Sequence, residues 1–324
     1  MKIEIIENIE DFPQFEAQNV FQTKEWMRLF EHEKNTKVVL FAVYANAQLD
    51  AIGDMDKSQL LLLQPIVIQR FVKWLPWRLG AYAVAWREPW KAGNITDEEA
   101  VEVFKLIHEK IVKYCRKRAL YVEYRHFSEK NIYAFTFNSQ LPWWNIYREF
   151  VKGEDVADKM KRDKRRQLKQ SFEAGVEVVL EPTREQIVEW YWLLKHLYRR
   201  IHRPLPSVDV FLRLNNLGIG RVFVVIYKGR VISGSAMLFH SSLLTSNSSL
   251  FYDWYRASIE ERIEGVFPSV VSTWQSLQLV ADMGGGRFDF MGAGRRDKEY
   301  GVRQFKLEFG GELTAEYRYR KILL

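Results

Sequence analysis

The sequence predicts an α/β protein made of two similar domains in tandem. Three observations carry this expectation. Apolar residues make up 47% and charged residues 27% of the 324, the balance of a folded chain that is long for one compact core. One succession of patterns, from helix to hairpin to further strand to helix, occurs in each half. No uncharged apolar run reaches the roughly 18 residues that would suggest a membrane span.

The first copy begins with helix-like Thr23–Phe30. Val38–Tyr44, a polar turn around Asn46, and Leu49–Gly53 make a candidate hairpin. Leu60–Ile68 reads as buried strand, and Asp97–Arg118 as the later helix. In the second copy, helix-like Glu185–Arg200 and Val208–Leu217 precede a clearer hairpin. Its strands, Arg221–Tyr227 and Arg230–Met237, are joined by Lys228-Gly229. Ser269–Met283 follows as helix and Phe288–Phe290 as strand. The polar stretch Arg148–Asp158 divides the copies, giving domains over 1–150 and 151–311. The last strand, within 312–324, can return to either half.

A net charge of +7 calls for an anionic partner: RNA, a phosphorylated metabolite or a membrane surface. The lone cysteine, Cys115, excludes an intramolecular disulfide and a cysteine-rich metal site, so no metal is expected. The acidic N-terminus, Met1–Glu10, lacks a signal-type apolar core, so the expected compartment is the cytoplasm.

Five segments could carry chemistry. Lys161–Gln170 holds six basic residues and one acidic; helical spacing places Lys161, Arg165 and Lys169 on one face and Arg162, Arg166 and Lys169 on a neighbouring one. That is either a solvated face or a phosphate clamp. Arg199, Arg200 and Arg203 lie at a helix end with Tyr198 and His202, where cations offset the dipole and could also meet an anion. Arg262-Ile-Glu-Gly-Val-Phe-Pro268 stands where acyltransferases of the GNAT superfamily carry an Arg/Gln-x-x-Gly-x-Gly/Ala loop for the CoA pyrophosphate. Phe267 replaces the small residue and Pro268 has no N–H, which counts against CoA.

The fourth segment, Phe288-Asp-Phe-Met-Gly-Ala-Gly294, reads as a strand ending in a glycine turn, with Asp289 either a turn cap or a carboxylate for catalysis. With it goes Phe305-Lys-Leu-Glu-Phe309, whose alternation reads as strand. There Lys306 is either an exposed partner of Glu308 or a cation for charge developing on a reacting carbonyl. Asp253, after strand-like Leu243–Tyr252, is a further carboxylate. In the fifth segment Trp74 and Trp77, set among Arg70, Lys73 and Arg78, have the character of a membrane-interface patch.

In order and spacing these segments resemble the FemABX family, the peptidoglycan interpeptide-bridge aminoacyltransferases. Phe21-Gln-Thr-Lys-Glu-Trp26 is similar to its Gln…Trp element, and Lys161 through Gly175-Val-Glu-Val178 to its basic helix ending in Gly-Val-x-Val. Tyr198-Arg-Arg200 is similar to its arginine-bearing helix end. Phe288-Asp-Phe…Gly292 and Phe305-Lys306…Phe309-Gly310 resemble its Tyr-Asp-x-x-Gly and Phe-Lys signatures. The resemblance implies two GNAT-like subdomains, each a mixed twisted sheet flanked by helices, with a cleft between them. It implies an aminoacyl-tRNA donor, a lipid II or UDP-MurNAc-peptide acceptor and no bound cofactor. It allows a peripheral contact at the inner face of the membrane and calls for no stable protein partner. It makes Lys306, Arg200 and Arg28 candidates for contacts to substrate phosphate or peptide, while the residues themselves offer Lys306, Asp289 and Asp253 for catalysis. Trp26, Arg28, Arg165, Arg166, Arg199, Arg200, Tyr252, Gly292 and Phe305 become candidates for substrate binding. Trp86-Arg-Glu-Pro89 departs from the family's Arg/Lys-Gly-Pro and leaves the acceptor open. An acyl-CoA-dependent N-acyltransferase acting on an amino sugar and a non-catalytic anion-binding scaffold are the rival expectations.

Overall fold

The structure is a computed structural model that describes residues 1–45, 59–128, 131–137, 139–240 and 249–323. The chain divides into two compact units, one of Met1–Pro142 with Glu316–Leu324, the other of Trp143–Ala315.

Unit 1 contains β1 (Lys2–Ile6), α1 (Lys24–Leu29), β2 (Thr36–Tyr44), β3 (Leu60–Arg70), α2 (Trp77–Gly80), β4 (Ala81–Ala85), β5 (Trp90–Lys91), α3 (Asp97–Cys115) and β6 (Tyr121–Ser128). Next come β7 (Gln140–Val151), then α4 (Arg162–Glu173), β8 (Val176–Val179), α5 (Arg184–Arg200) and α6 (Val208–Leu214). Unit 2 continues through β9 (Gly220–Tyr227), β10 (Arg230–Leu238), β11 (Leu250–Ser258), α7 (Pro268–Asp282), β12 (Gly285–Asp289) and α8 (Gly301–Leu307), before β13 (Glu312–Ile322).

The duplicated α/β architecture is present. In unit 1, β1, β2, β3 and β4 pair antiparallel in that order, and α3 then crosses to β6, which pairs parallel with β4. In unit 2, β8, β9, β10 and β11 pair antiparallel, and α7 crosses to β12, parallel to β11. Each parallel strand gains one more antiparallel neighbour. For β6 it is β13, from the C-terminal segment; for β12 it is β7, which follows β6 in sequence. The two units thus exchange their last strands, and the strand within 312–324 pairs in unit 1.

Local chemistry explains the elements that frame the site. Helix α3 starts in a capping box, Thr96 with Glu99, and buries Ala100, Val103, Phe104, Ile107 and Ile111 on one face. The β9–β10 turn takes positive φ at Lys228 (49°) and Gly229 (76°), which suits the right-handed strand twist. Helix α7 starts on Pro268, whose ring presets φ where no N–H is needed. Beneath it, Val270, Val271, Leu277 and Val280 join Phe223, Phe251 and Phe288 in the core of unit 2.

Two readings change. Phe305–Phe309 is not strand: Phe305, Lys306 and Leu307 close α8 and Glu308 is its C-cap. The F-x-x-x-F spacing satisfies helix period as well as strand alternation, and the rings of Phe305 and Phe309 lie 5.1 Å apart. Strand β11 runs on to Ser258, so Asp253 is inside a strand and not at its end. The expected strand Leu49–Gly53 and the start of Leu243–Tyr252 fall outside the described residues; β2 pairs with β3. No described helix is long and apolar enough to cross a membrane.

Candidate functional site

In unit 2 the parallel pairing of β11 with β12 stops at Tyr252–Asp289, while β11 continues to Ser258 paired with β10 alone. Such a divergence at the carboxyl ends of parallel strands leaves room for a ligand. Beyond Asp289 the chain turns sharply, with positive φ at Met291 (58°) and Gly292 (95°). A non-glycine in that region is strained and needs fixing. Asp289 and Asn145 supply it, both fully buried. Asp289 Oδ1 accepts from the Met291 amide at 2.6 Å and from Asn145 Nδ2 at 3.0 Å. Asn145 Oδ1 accepts from the Gly292 amide at 2.7 Å. Asp289 therefore caps the turn.

Helix α8 clasps the other side of this turn. Lys306 Nζ donates to the carbonyls of Phe290 (2.5 Å) and Gly292 (2.8 Å), and Arg303 Nε to that of Ala293 (2.8 Å). Three residues apart, the two cations share one helix face. The end of α8 is held by buried Arg148, which donates to the carbonyls of Phe309 (2.7 Å) and Val156 (3.1 Å) and to Glu154 (2.9 Å). Among the described residues Lys306 thus bonds carbonyl oxygens and no carboxylate. Burial lowers its pKa to about 8, a shift that Asp253 and Asp289 oppose and Arg256 reinforces. An ammonium has three N–H groups, so one remains beyond the two carbonyls.

Asp253 Oδ1 accepts from Arg256 at 2.9 Å and from Ser235 Oγ at 3.2 Å, and Arg256 reaches Ser276 Oγ on α7 at 3.1 Å. Both hydrogen bonds to Asp253 fall on one carboxylate oxygen. Asp253, Asp289 and Arg256 lie close enough to Lys306 to act on its charge, beside the point where β11 and β12 part. Of the binding candidates, Gly292 supplies a clasped carbonyl, Tyr252 pairs with Asp289, and Phe305 carries Lys164 5.0 Å over its ring.

The remaining candidates lie elsewhere. Arg165 and Arg166 are exposed on α4; Arg165 contacts the carbonyls of Ala157 and Asp158 at 3.4 Å, and Arg166 pairs with Asp163 at 3.4 Å. Arg199 and Arg200 are exposed at the end of α5, and Arg200 pairs with Glu260. Trp26 and Arg28 belong to α1 of unit 1, Trp26 buried edge-on to Phe21 and Phe30, Arg28 exposed. Asn145, Arg148, Arg256 and Arg303 were not anticipated; Asn145 and Arg148 reach partners more than a hundred residues away, and no local motif marks Arg256 or Arg303.

At the start of α7 two backbone donors are engaged and a third position has none. The Phe267 amide donates to Ser171 Oγ at 2.9 Å and the Val266 amide to the Ile263 carbonyl at 3.1 Å, while Pro268 has none. The equivalent end of α3 is filled by its capping box and by Asp97, Glu98 and Glu99.

No protein-family model matches the sequence, and no curated protein does either. Solved structures do match. The fold is similar to that of FemX, with a TM-score of 0.63 at 14% identity over 99% of this chain and 97% of that one. It is similar to a tandem GNAT protein from the clavulanic acid biosynthesis pathway (TM-score 0.55, 9% identity, 100% and 99% covered). It is also similar to the C-terminal domain of a putative lysylphosphatidylglycerol synthetase from Agrobacterium fabrum (0.54, 11%, 92% and 90%). At these identities the likeness is one of fold: the chain has a FemX-like, tandem GNAT architecture.

Proposed function

We propose that the protein is an aminoacyltransferase that forms an amide on a peptidoglycan precursor, lipid II or a UDP-MurNAc-peptide, using aminoacyl-tRNA. The observation that carries the reading is Lys306, a part-buried cation clasped to the turn at the open strand ends of a FemX-like fold. In the reaction an acceptor amine attacks the ester carbonyl of the aminoacyl-tRNA. The carbonyl oxygen gains negative charge, and collapse expels the terminal ribose hydroxyl. The third N–H of Lys306 stabilises that oxygen from a preorganised position. The second oxygen of Asp253 takes the proton the amine loses and returns it to the departing ribose oxygen, which leaves as the hydroxyl. Asp289 holds the turn and does not transfer protons.

Two further features support this reading over acyl-CoA chemistry. The start of α7 has a proline and an engaged Phe267 amide, and the start of α3 carries three carboxylates, and neither favours a pyrophosphate. Helix α4 exposes Arg162, Arg165, Arg166 and Lys169, a surface suited to tRNA phosphates. The test is transfer from a charged tRNA pool to each precursor, beside thermal-shift titrations with CoA. Transfer lost in Lys306→Ala is expected, with no stabilisation by CoA. Unchanged transfer in Lys306→Ala contradicts the assignment, and a clear CoA-dependent rise in melting temperature favours the acyl-CoA rival.

A further inference from the structure

We propose that the corner joining β3 to β4 in unit 1 is a membrane-docking tip for an anionic phospholipid surface. The inference does not depend on the transfer reaction. Phe71 (38%), Trp74 (84%) and Leu79 (44%) fall within nine positions, and no other stretch of that length among the described residues holds more than two exposed large apolar side chains. Trp74 is the most exposed of them all. Cations interleave them: Lys73 and Arg78 are exposed, and Arg70 sits at the base. Apolar groups flanked by lysine and arginine are the composition that seats a segment in the headgroup boundary.

The tip is rigid, so docking needs little ordering. The Phe71 and Val72 amides both donate to the Gly80 carbonyl (2.8 and 3.1 Å), and the Leu79 and Gly80 amides to that of Pro76 (2.9 Å each). Arg70 donates to the Leu75 carbonyl at 2.5 Å, with its guanidinium 5.8 Å over the Trp77 ring. Gly80 admits no side chain, since a Cβ there would lie 2.5 Å from the Val72 carbonyl oxygen.

Beside the tip lies a groove of about 400 Å³ lined by Lys37, Ile68, Trp77, Lys117 and Arg118. Glu7 pairs with Lys37, so exposed Lys117 is left to meet a headgroup phosphate, with Arg118 beside it donating one N–H to the Tyr114 carbonyl at 3.0 Å. Trp77 also borders a separate cavity of about 690 Å³ with Glu7, Glu10, Asp11, Glu31 and Glu33 on its wall. That side repels an anionic surface, so contact is confined to the tip and the basic groove.

The test is co-sedimentation of the full chain with vesicles of phosphatidylcholine alone or mixed equally with phosphatidylserine. Binding to the mixed vesicles that weakens with salt is expected. Trp74→Ala should weaken it roughly tenfold or more, and Lys73→Ala or Arg78→Ala each roughly fivefold. All three are exposed, so melting temperatures should stay at the wild-type value, and Trp192→Ala, exposed on α5, should bind normally. Absence of binding to mixed vesicles at low salt overturns the proposal, as does undiminished binding by Trp74→Ala. If these substitutions weaken tRNA binding and leave vesicle binding intact, the tip is a nucleic-acid surface and the proposal fails.

Discussion

In unit 1, β6 runs past its parallel partner β4 and holds His126, at φ 57°, where its pairing with β13 shifts register; in unit 2, β12 ends and the chain turns through Met291 at φ 58°. Each residue lies two positions beyond the last parallel pair, yet the two are secured differently. His126 Nδ1 meets Glu316 at 2.9 Å, both buried, and its ring stacks on Trp86. Nearby Glu123, also buried, binds Arg125 at 2.5 Å, Arg318 at 3.7 Å and Arg320. There, charge is answered by charge. In unit 2 the turn is held by amide and carbonyl bonds to Asp289, Asn145 and Lys306, and the lysine's charge is answered only by dipoles and by carboxylates that do not bond it. An under-compensated cation in a part-buried place keeps capacity for a ligand. The comparison teaches that one frame can be closed by ion pairs in one copy and leave a cation on backbone carbonyls in the other, which is where we propose the chemistry.

The sharpest way to break this comparison is Glu123→Gln. It leaves buried arginine charge unanswered, and a loss of about 3–5 kcal/mol in denaturant unfolding is expected, with the transfer rate per folded molecule unchanged. A cost below about 1 kcal/mol would show the arginine cluster to be ordinary surface pairing. Asp289→Ala comes next. It strands the Met291 amide and the Asn145 amide group, about 1–3 kcal/mol each, and transfer should fall too because the turn positions Lys306. Stability loss without any rate change would separate the turn from the chemistry.

The smallest effect is in pH. Burial raises the Glu123 pKa, but Arg125, Arg318 and Arg320 outweigh it and hold it at about 2, against 4.5 for the ordinary group. Its folded-state pKa is depressed, so this stabilisation is complete above about 4.5 and is lost as pH falls toward 2. Wild-type unfolding free energy should therefore drop across that window more steeply than that of Glu123→Gln; equal slopes would remove Glu123 from the account.

Much of this frame was legible in the sequence. The Lys228-Gly229 turn and the apolar spacing of α3, α5 and α7 are local signals, and local signals survive in one dimension. The strand exchange was not legible, because β7 and β13 would carry the same alternation whichever unit they joined. The site was legible in part. Gly292 and Lys306 stood out by type, but the alternation around Lys306 fits a helix as well as a strand, and the helix won. Asn145 and Arg148 were invisible because their partners, Asp289 and Phe309, lie more than a hundred residues away, beyond any motif.

The central claim, that the Lys306 centre of unit 2 performs the transfer as a cation, is tested most directly by single-turnover transfer from aminoacyl-tRNA as a function of pH. The wild-type rate should fall as pH rises through about 8, where Lys306 loses its proton. Lys306→Met should be slower by on the order of 10²–10³ and lack that step. A Lys306→Met enzyme with the wild-type rate and the same fall near pH 8 would contradict the account.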